Sequence, residues 1–272
     1  MRFTVSSTAL SSKLNALAKV INSKNSLPIL ADFLFDIQDN VLYLTASDSE
    51  NVINTQMELT ESDANGRFAI NNHDLLEAIK GFSEQPITFD VNLQDNIAKI
   101  SYQNGLFSLP VENADEYPQS QPITEGINTI VMPSNVLADN INRSLFATAQ
   151  DELRPVMNGI YFDLTPEHLA VVASDGHKLV RNKVFTVQSE QPASFILPKK
   201  PAGLLKNLLQ KDGGDVEIKF NERNAEINYG DGRLSCRLIE GRYPNYNSVI
   251  PQNNTNTLTV DRLALLAALR RV

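Results

Sequence analysis

Hydrophobic positions near the start of the chain change period twice. Phe3 and Val5 alternate with polar neighbours, the two-residue period of a half-buried strand. Leu10, Leu14, Leu17, Ala18 and Ile21 then recur at helical spacing and predict an amphipathic helix within 8–24, capped by Ser6 or Ser7. Alternation returns at Phe33, Phe35 and Ile37, pauses at Gln38-Asp39-Asn40 and resumes at Leu42 and Leu44, which reads as strand, turn and strand. A strand around Phe68 runs into a second helix near 71–82. Asn104-Gly105 predicts a tight hairpin whose turn residues take positive φ.

The same order then recurs. A shift of 127 residues carries Phe3-Thr4-Val5 onto Ile130-Val131-Met132, Leu10 and Leu14 onto Leu137 and Ile141, and Pro28 onto Pro155. It also carries Phe35 onto Phe162, Ala46-Ser47-Asp48 onto Ala173-Ser174-Asp175, Phe68 onto Phe195 and Tyr102 onto Tyr229. A constant offset held over such a span marks an internal repeat. In the second copy Ile160, Phe162 and Leu164 precede a turn at Thr165-Pro166, a helix is expected near 199–211, and Gly230-Asp231-Gly232 replaces Asn104-Gly105. A third copy opens at Leu258-Thr259-Val260, with Leu265 and Leu269 standing for Leu10 and Leu14. Each unit is thus an α+β domain of two helices on mainly antiparallel sheet. The expected organisation is 1–120, 127–252 and the beginning of a third unit over 257–272, joined by Pro-, Gln- and Asn-rich linkers near 118–127 and 247–256. Three whole units would need roughly 380 residues, so the chain is expected to be a fragment.

Composition adds a soluble protein with no disulfide framework, since Cys236 is the single cysteine among 272 residues and no run is long and apolar enough to span a membrane. A lone thiol suits a reducing cytoplasm. The net charge of −8 argues against ordinary nucleic-acid affinity, but the charge is unevenly distributed. The helical segments 8–24, 71–82, 134–149, 199–211 and 261–272 together carry +8, and everything else carries −16. Lys13, Lys19 and Lys24 share one helix without an acid, as do Lys199, Lys200, Lys206 and Lys211. Surface solubility explains one such helix. The whole set suits helices that face a polyanion while the acidic remainder repels it.

These residues carry a resemblance. The tandem units, the stretch Phe3 to Leu30, Ala173-Ser174-Asp175-Gly176-His177-Lys178-Leu179, and Gly241-Arg242-Tyr243-Pro244-Asn245-Tyr246 followed by Val249-Ile250-Pro251 resemble the bacterial DNA sliding clamps, the beta subunits of DNA polymerase III. The resemblance implies a DNA clamp fold: head-to-tail homodimers of three-domain chains, closed into a ring with helices lining the hole. It implies a processivity factor with no catalytic activity of its own, no cofactor and no metal. Such a factor encircles duplex DNA and tethers the polymerase III alpha subunit, the clamp loader complex and other clamp-motif proteins. On this resemblance the DNA-facing residues would be Lys24, Lys80, Gln150, Arg154, Lys199 and Lys200. Pro155 and Val156 follow Arg154 where some relatives carry aromatic residues, so no stacking contact carries over there. The wall of a peptide-binding pocket would be Arg154, Met157, Ser174, Gly176, His177, Leu179, Pro244 and Val249. Unit one has Ser49-Glu50-Asn51 where unit two has Gly176-His177-Lys178, so the shared Asp serves the turn while His177 either lines the pocket or belongs to the turn.

Catalysis is a poor fit. Ser174, Asp175 and His177 crowd into four positions of one turn, too close in sequence for a base to reach a nucleophile while a third group orients that base. His73 and His168 show no metal-ligand spacing, and there is no G-x-S-x-G elbow and no Walker loop. A scaffold that binds proteins alone would share the fold but not the lysine-rich helices. A fragment short of its third unit is expected to be a monomer or weak nonstandard dimer that binds clamp-directed peptides poorly.

Overall fold

A computed structural model describes all residues except 23–26, 119–121, 152 and 210–212. The chain forms two compact units, Met1–Arg242 and Tyr243–Val272.

The first unit contains both repeats. The first has β1 (Arg2–Ser6), α1 (Ser7–Leu17), β2 (Asp32–Gln38), β3 (Val41–Ser47), β4 (Asn51–Glu58), the short β5 (Glu61–Ser62), β6 (Gly66–Asn71), α2 (Asn72–Ile79), β7 (Pro86–Asn92), β8 (Ile97–Tyr102) and β9 (Gly105–Glu112). The second has β10 (Asn128–Pro133), α3 (Ser134–Ser144), β11 (Gly159–Leu164), β12 (Leu169–Ser174), β13 (Leu179–Val184), β14 (Ala193–Pro198), α4 (Lys199–Leu208), β15 (Asp215–Phe220), β16 (Asn224–Tyr229) and β17 (Gly232–Arg237). Every strand pair among them is antiparallel. The second unit holds α5 (Arg262–Leu269).

The hydrophobic pattern explains the core. Phe3 stacks on Phe89 at 4.8 Å and Phe35 on Phe68 at 4.9 Å, while Leu10, Leu14 and Leu17 of α1 are fully buried against the same sheet. The offset preserves the key pair, because Phe162 stacks on Phe195 at 4.7 Å. Ser6 is the N-cap of α1, its Oγ accepting from the Ala9 amide at 3.2 Å, and Asn71 caps α2 in the same way. The two helices of each repeat pack together, α1 with α2 and α3 with α4.

Three expectations shift. The first helix ends at Leu17, earlier than the apolar stripe suggests, and Val20 is buried from the following turn. Asn104 and Gly105 do not take positive φ, although Gly230 does, at 47°. A Cβ on Gly105 would crowd the Tyr102 side chain across the hairpin, and one on Gly232 would crowd Tyr229 in the same way. Residues 258–260 form no strand, because no ladder partner is paired with them, though α5 does form, with Asp261 as its cap.

Pairing of β17 with β4 joins the repeats into one sheet of 13 strands, ordered β10-β15-β16-β17-β4-β3-β2-β6-β9-β8-β7-β1-β5, while β13-β12-β11-β14 forms a separate sheet. Leu234 lies opposite Ile53 in this seam, and both are buried. Two ion pairs flank it in opposite senses. Lys13 of α1 reaches Asp231 of the second repeat, and Lys200 of α4 reaches Asp48 of the first.

Candidate functional site

Two loops of the second repeat meet at the edge of the four-stranded sheet. The first, whose described residues are Asp151 and 153–157, closes in a 3-10 turn at Pro155–Met157, where proline fixes the first φ. Asp151 organises it: its Oδ2 accepts from Arg154 Nε at 2.8 Å and its Oδ1 from the Leu153 amide at 2.9 Å. These bonds hold the Asp151 carboxyl below the ordinary range, with the Arg154 side chain as the largest cause. Met157 is buried, and its carbonyl accepts from Ala149 at 2.8 Å.

The second loop is the β12–β13 turn. Asp175 Oδ1 accepts from the His177 and Lys178 amides, both at 2.9 Å, and Oδ2 accepts from Lys178 Nζ. Its carboxyl is therefore held well below the usual range, chiefly by the Lys178 ammonium. Ser174 Oγ donates to the Lys178 carbonyl at 2.9 Å and accepts from Gly176 at 3.1 Å. Asp48 makes the same turn in the first repeat, accepting from the Glu50 and Asn51 amides. Gly176 sits at φ 90° where Ser49 sits at 80°. A Cβ on Gly176 would also lie 3.1 Å from Arg154 Nη1, so the glycine lets the guanidinium of one loop lie against the backbone of the other.

Arg154 thus lies against Gly176, in the turn that also carries Ser174 and His177, while Leu179 is half-buried at the start of β13 and Met157 is buried. His177 is exposed. Pro244 and Val249 are exposed and belong to the second unit, Val249 ending the turn Tyr246–Val249. In this turn Ser174 Oγ and the Asp175 carboxylate bond Lys178 and backbone, and neither bonds the His177 ring among the described residues. Cavities of about 250, 270 and 430 Å³ are lined by other residues. No group of three or more potential metal ligands occurs among the described residues. Sequence reasoning missed Asp151, although its three-residue spacing to Arg154 was there to be read.

The candidate basic residues separate into different environments. Lys199 and Gln150 are exposed, and Lys80 is exposed but paired with Glu77 at 3.0 Å. Lys24 lies outside the described residues. Lys200 is turned into the seam, where Nζ donates to Asp48 and to the Val20 carbonyl at 2.9 Å. Lys13 is likewise committed to Asp231 and to Thr55 Oγ1 at 3.1 Å. The helical positive charge is therefore partly structural, because two of these ammonium groups neutralise carboxylates of the neighbouring repeat. No helix among the described residues is long and apolar enough to cross a membrane.

Comparison with known proteins adds the following. A family profile described as DNA polymerase III beta subunit, N-terminal domain, matches residues 1–121, and one described as its central domain matches 131–245. The beta sliding clamp of Haemophilus influenzae is 28% identical over 255 residues, covering 94% of this chain and 69% of that protein. The Pseudomonas aeruginosa sliding clamp, solved bound to griselimycin, aligns with a TM-score of 0.92 at 25% identity, covering 100% of this chain and 73% of that one. The Helicobacter pylori beta clamp, solved bound to a DNA ligase peptide, has a TM-score of 0.83 at 23% identity, a likeness of fold, and covers 94% of this chain and 71% of that one.

Proposed function

Because this chain belongs to the DNA polymerase III beta-subunit family, the bacterial sliding clamps, we propose that it acts as a processivity factor that encircles duplex DNA, slides along it, and tethers the replicative polymerase and repair proteins. It is a non-catalytic subunit. The single observation that carries the reading is the tandem α+β repeat, matched in sequence by both domain profiles and in structure at a TM-score of 0.92. Retention by enclosure needs few phosphate contacts, which is compatible with a net charge of −8.

The finer assignments belong to this proposal. Lys80, Gln150, Arg154 and Lys199 contact the DNA backbone, with Lys24 assigned on the resemblance alone. Lys200 acts mainly in the seam, for the reason its ion pair gives. Arg154, Met157, Ser174, Gly176, His177 and Leu179 form a wall that receives a linear clamp-motif peptide. The peptide bound by the Helicobacter pylori clamp supports that class of ligand. Pro244 and Val249 rest on the resemblance alone. The polymerase III alpha subunit and the clamp loader are the expected partners, acting in the cytoplasm on a ring that the three-domain homodimer closes.

The test is topological. The chain joined to a third clamp domain is loaded on nicked circular plasmid with a clamp loader and ATP, and the plasmid is then cut once. Retention on the circle with rapid release after cutting supports the reading. Equal retention on both forms points to simple electrostatic binding, and no retention on either to a protein-only scaffold. His177→Ala in the same protein should weaken binding of a fluorescent clamp-motif peptide at unchanged thermal stability.

A further inference from the structure

Three asparagines of the chain precede a glycine: Asn65, Asn104 and Asn158. Such pairs can modify themselves, because glycine has no side chain to shield its backbone nitrogen from the neighbouring carboxamide. The fold treats the three differently. Asn158 Oδ1 accepts from the Asp151 amide and its Nδ2 donates to the Asp151 carbonyl, both at 3.0 Å, while Gly159 is buried in β11 opposite Pro198. Asn65 is also held at both ends: Oδ1 accepts from the Asp39 amide at 3.0 Å and Nδ2 donates to Asp39 Oδ1 at 3.4 Å. Asn104 is exposed in the turn between β8 and β9, beside an exposed Gly105, and its side chain makes no hydrogen bond among the described residues. We infer that Asn104 is a self-modification site, at which the chain converts its own asparagine to aspartate and isoaspartate.

The reaction needs only water. The Gly105 backbone nitrogen gives up its proton and attacks the Asn104 side-chain carbonyl carbon. That carbon's bond to the amide nitrogen breaks, and ammonia leaves with the proton. Water then opens the cyclic imide. Opening at the side-chain carbonyl gives aspartate, and opening at the backbone carbonyl gives isoaspartate, whose chain runs through the former side chain. The Asn104 carboxamide is free to turn onto the nitrogen. At Asn65 and Asn158 the same attack must first break two hydrogen bonds. Both products put a carboxylate where the turn had a neutral amide. Isoaspartate also adds a carbon to the backbone between Tyr102 and Gly105, the pair that closes the β8–β9 ladder. The Tyr102 ring lies 4.8 Å from Phe82 and 5.2 Å from Phe107, and the Gln103 amide ties the turn to Gln85 Oε1 at 3.0 Å. A lengthened turn cannot keep Tyr102 opposite Gly105, so isoaspartate loosens this end of the hairpin and leaves the distant β2–β3 ladder as it is. The inference rests on covalent chemistry and local contacts, not on DNA encirclement.

Peptide mapping by mass spectrometry tests it. The intact chain is incubated at mildly alkaline pH, either native or in urea, and conversion at Asn65, Asn104 and Asn158 is followed in time. Enzymatic methylation of isoaspartyl carboxylates gives a second readout. In urea the three should convert at comparable rates, because only the local sequence remains. In the native chain Asn104 should keep its urea rate, while Asn65 and Asn158 slow by more than about tenfold. Native slowing of Asn104 to the rate of Asn158, or native conversion of either other asparagine as fast as Asn104, overturns the proposal. The converted chain, separated by its added negative charge, should show faster hydrogen exchange at residues 101–106 and unchanged exchange in β2 and β3. Asn104→Asp carries the charge without the longer backbone and should exchange like wild type. Unchanged exchange at 101–106 in the isoaspartyl chain, or equal acceleration in Asn104→Asp, overturns the loosening of the hairpin.

Discussion

Removing the Lys200 ammonium while keeping its stem, as Lys200→Met, perturbs the seam at one identifiable point. The carboxylate it holds is nearly buried, Asp48 being 8% exposed, whereas the ammonium is 40% exposed. Asp48 would retain donors after the change, from the Glu50 amide at 3.0 Å, the Asn51 amide at 2.7 Å and Asn51 Nδ2 at 3.1 Å. The charge is therefore not orphaned, and the cost stays below the several kcal/mol of an unpaired buried ion. What is lost is one charge-assisted bond, reduced by the solvent around the ammonium, together with the bond to the Val20 carbonyl. The combined loss is about 2 kcal/mol. Burial alone would raise the Asp48 carboxyl, but the Lys200 bond and the Asn51 donors together outweigh it and hold the group below its ordinary value. A depressed folded pKa gives stability that is present above the ordinary carboxylate value and lost as pH falls through the lowered one. The difference between wild type and Lys200→Met should accordingly be largest near pH 7 and shrink in acid. The chain has no tryptophan, so urea denaturation followed by far-ultraviolet circular dichroism is the assay. Lys199→Met is the control, since Lys199 makes no ion pair among the described residues and should change stability by less than about 0.5 kcal/mol. Equal stability of the two variants at pH 7 would refute a seam role for Lys200.

Three further outcomes follow from other places in the fold. Gly159→Ala in β11 puts a Cβ 2.6 Å from the Leu197 carbonyl oxygen, which is fixed backbone, so a loss of about 2 kcal/mol is expected in the same urea assay. A fully stable variant would show that β11 and β14 separate easily. Burial, with Glu112 nearby, pushes the Asp32 carboxyl up to about 6, so its contribution is intact in acid and lost as pH rises through 6. Asp32→Asn should then gain about 1–3 kcal/mol at pH 8 and nothing near pH 4, and an equal effect at both pH values would contradict this. Cys236 lies buried in the seam opposite Asn51, its thiol pushed up to about 12 by burial. It should resist a thiol-reactive dye in native buffer and react once urea opens the seam, and fast native labelling would count against that burial.

Much was legible because local rules agree with the fold. Alternation at Phe33, Phe35 and Ile37 and helical spacing at Leu10, Leu14 and Leu17 both became core, and the offset that aligned Phe68 with Phe195 aligned two stacked pairs. The shared Asp48 and Asp175 were readable as turn residues because an Asx turn involves only near neighbours. The clustering of Ser174, Gly176 and His177 was legible for the same reason, being local. The approach of Arg154 to Gly176 was not, because it joins two loops separated in the chain.

Period, caps and repeat thus determined the elements, their order and their duplication, since each depends on residues within a few positions or on comparison of the chain with itself. The tertiary structure alone decided which charges are free and which are structural. Lys199 and Lys200 are adjacent in the sequence, yet one is exposed without an ion pair and the other holds a carboxylate more than a hundred residues away. Composition counts both as one positive unit each. Only the pairing of β17 with β4, which brings the two repeats edge to edge, sets a carboxylate before one of them.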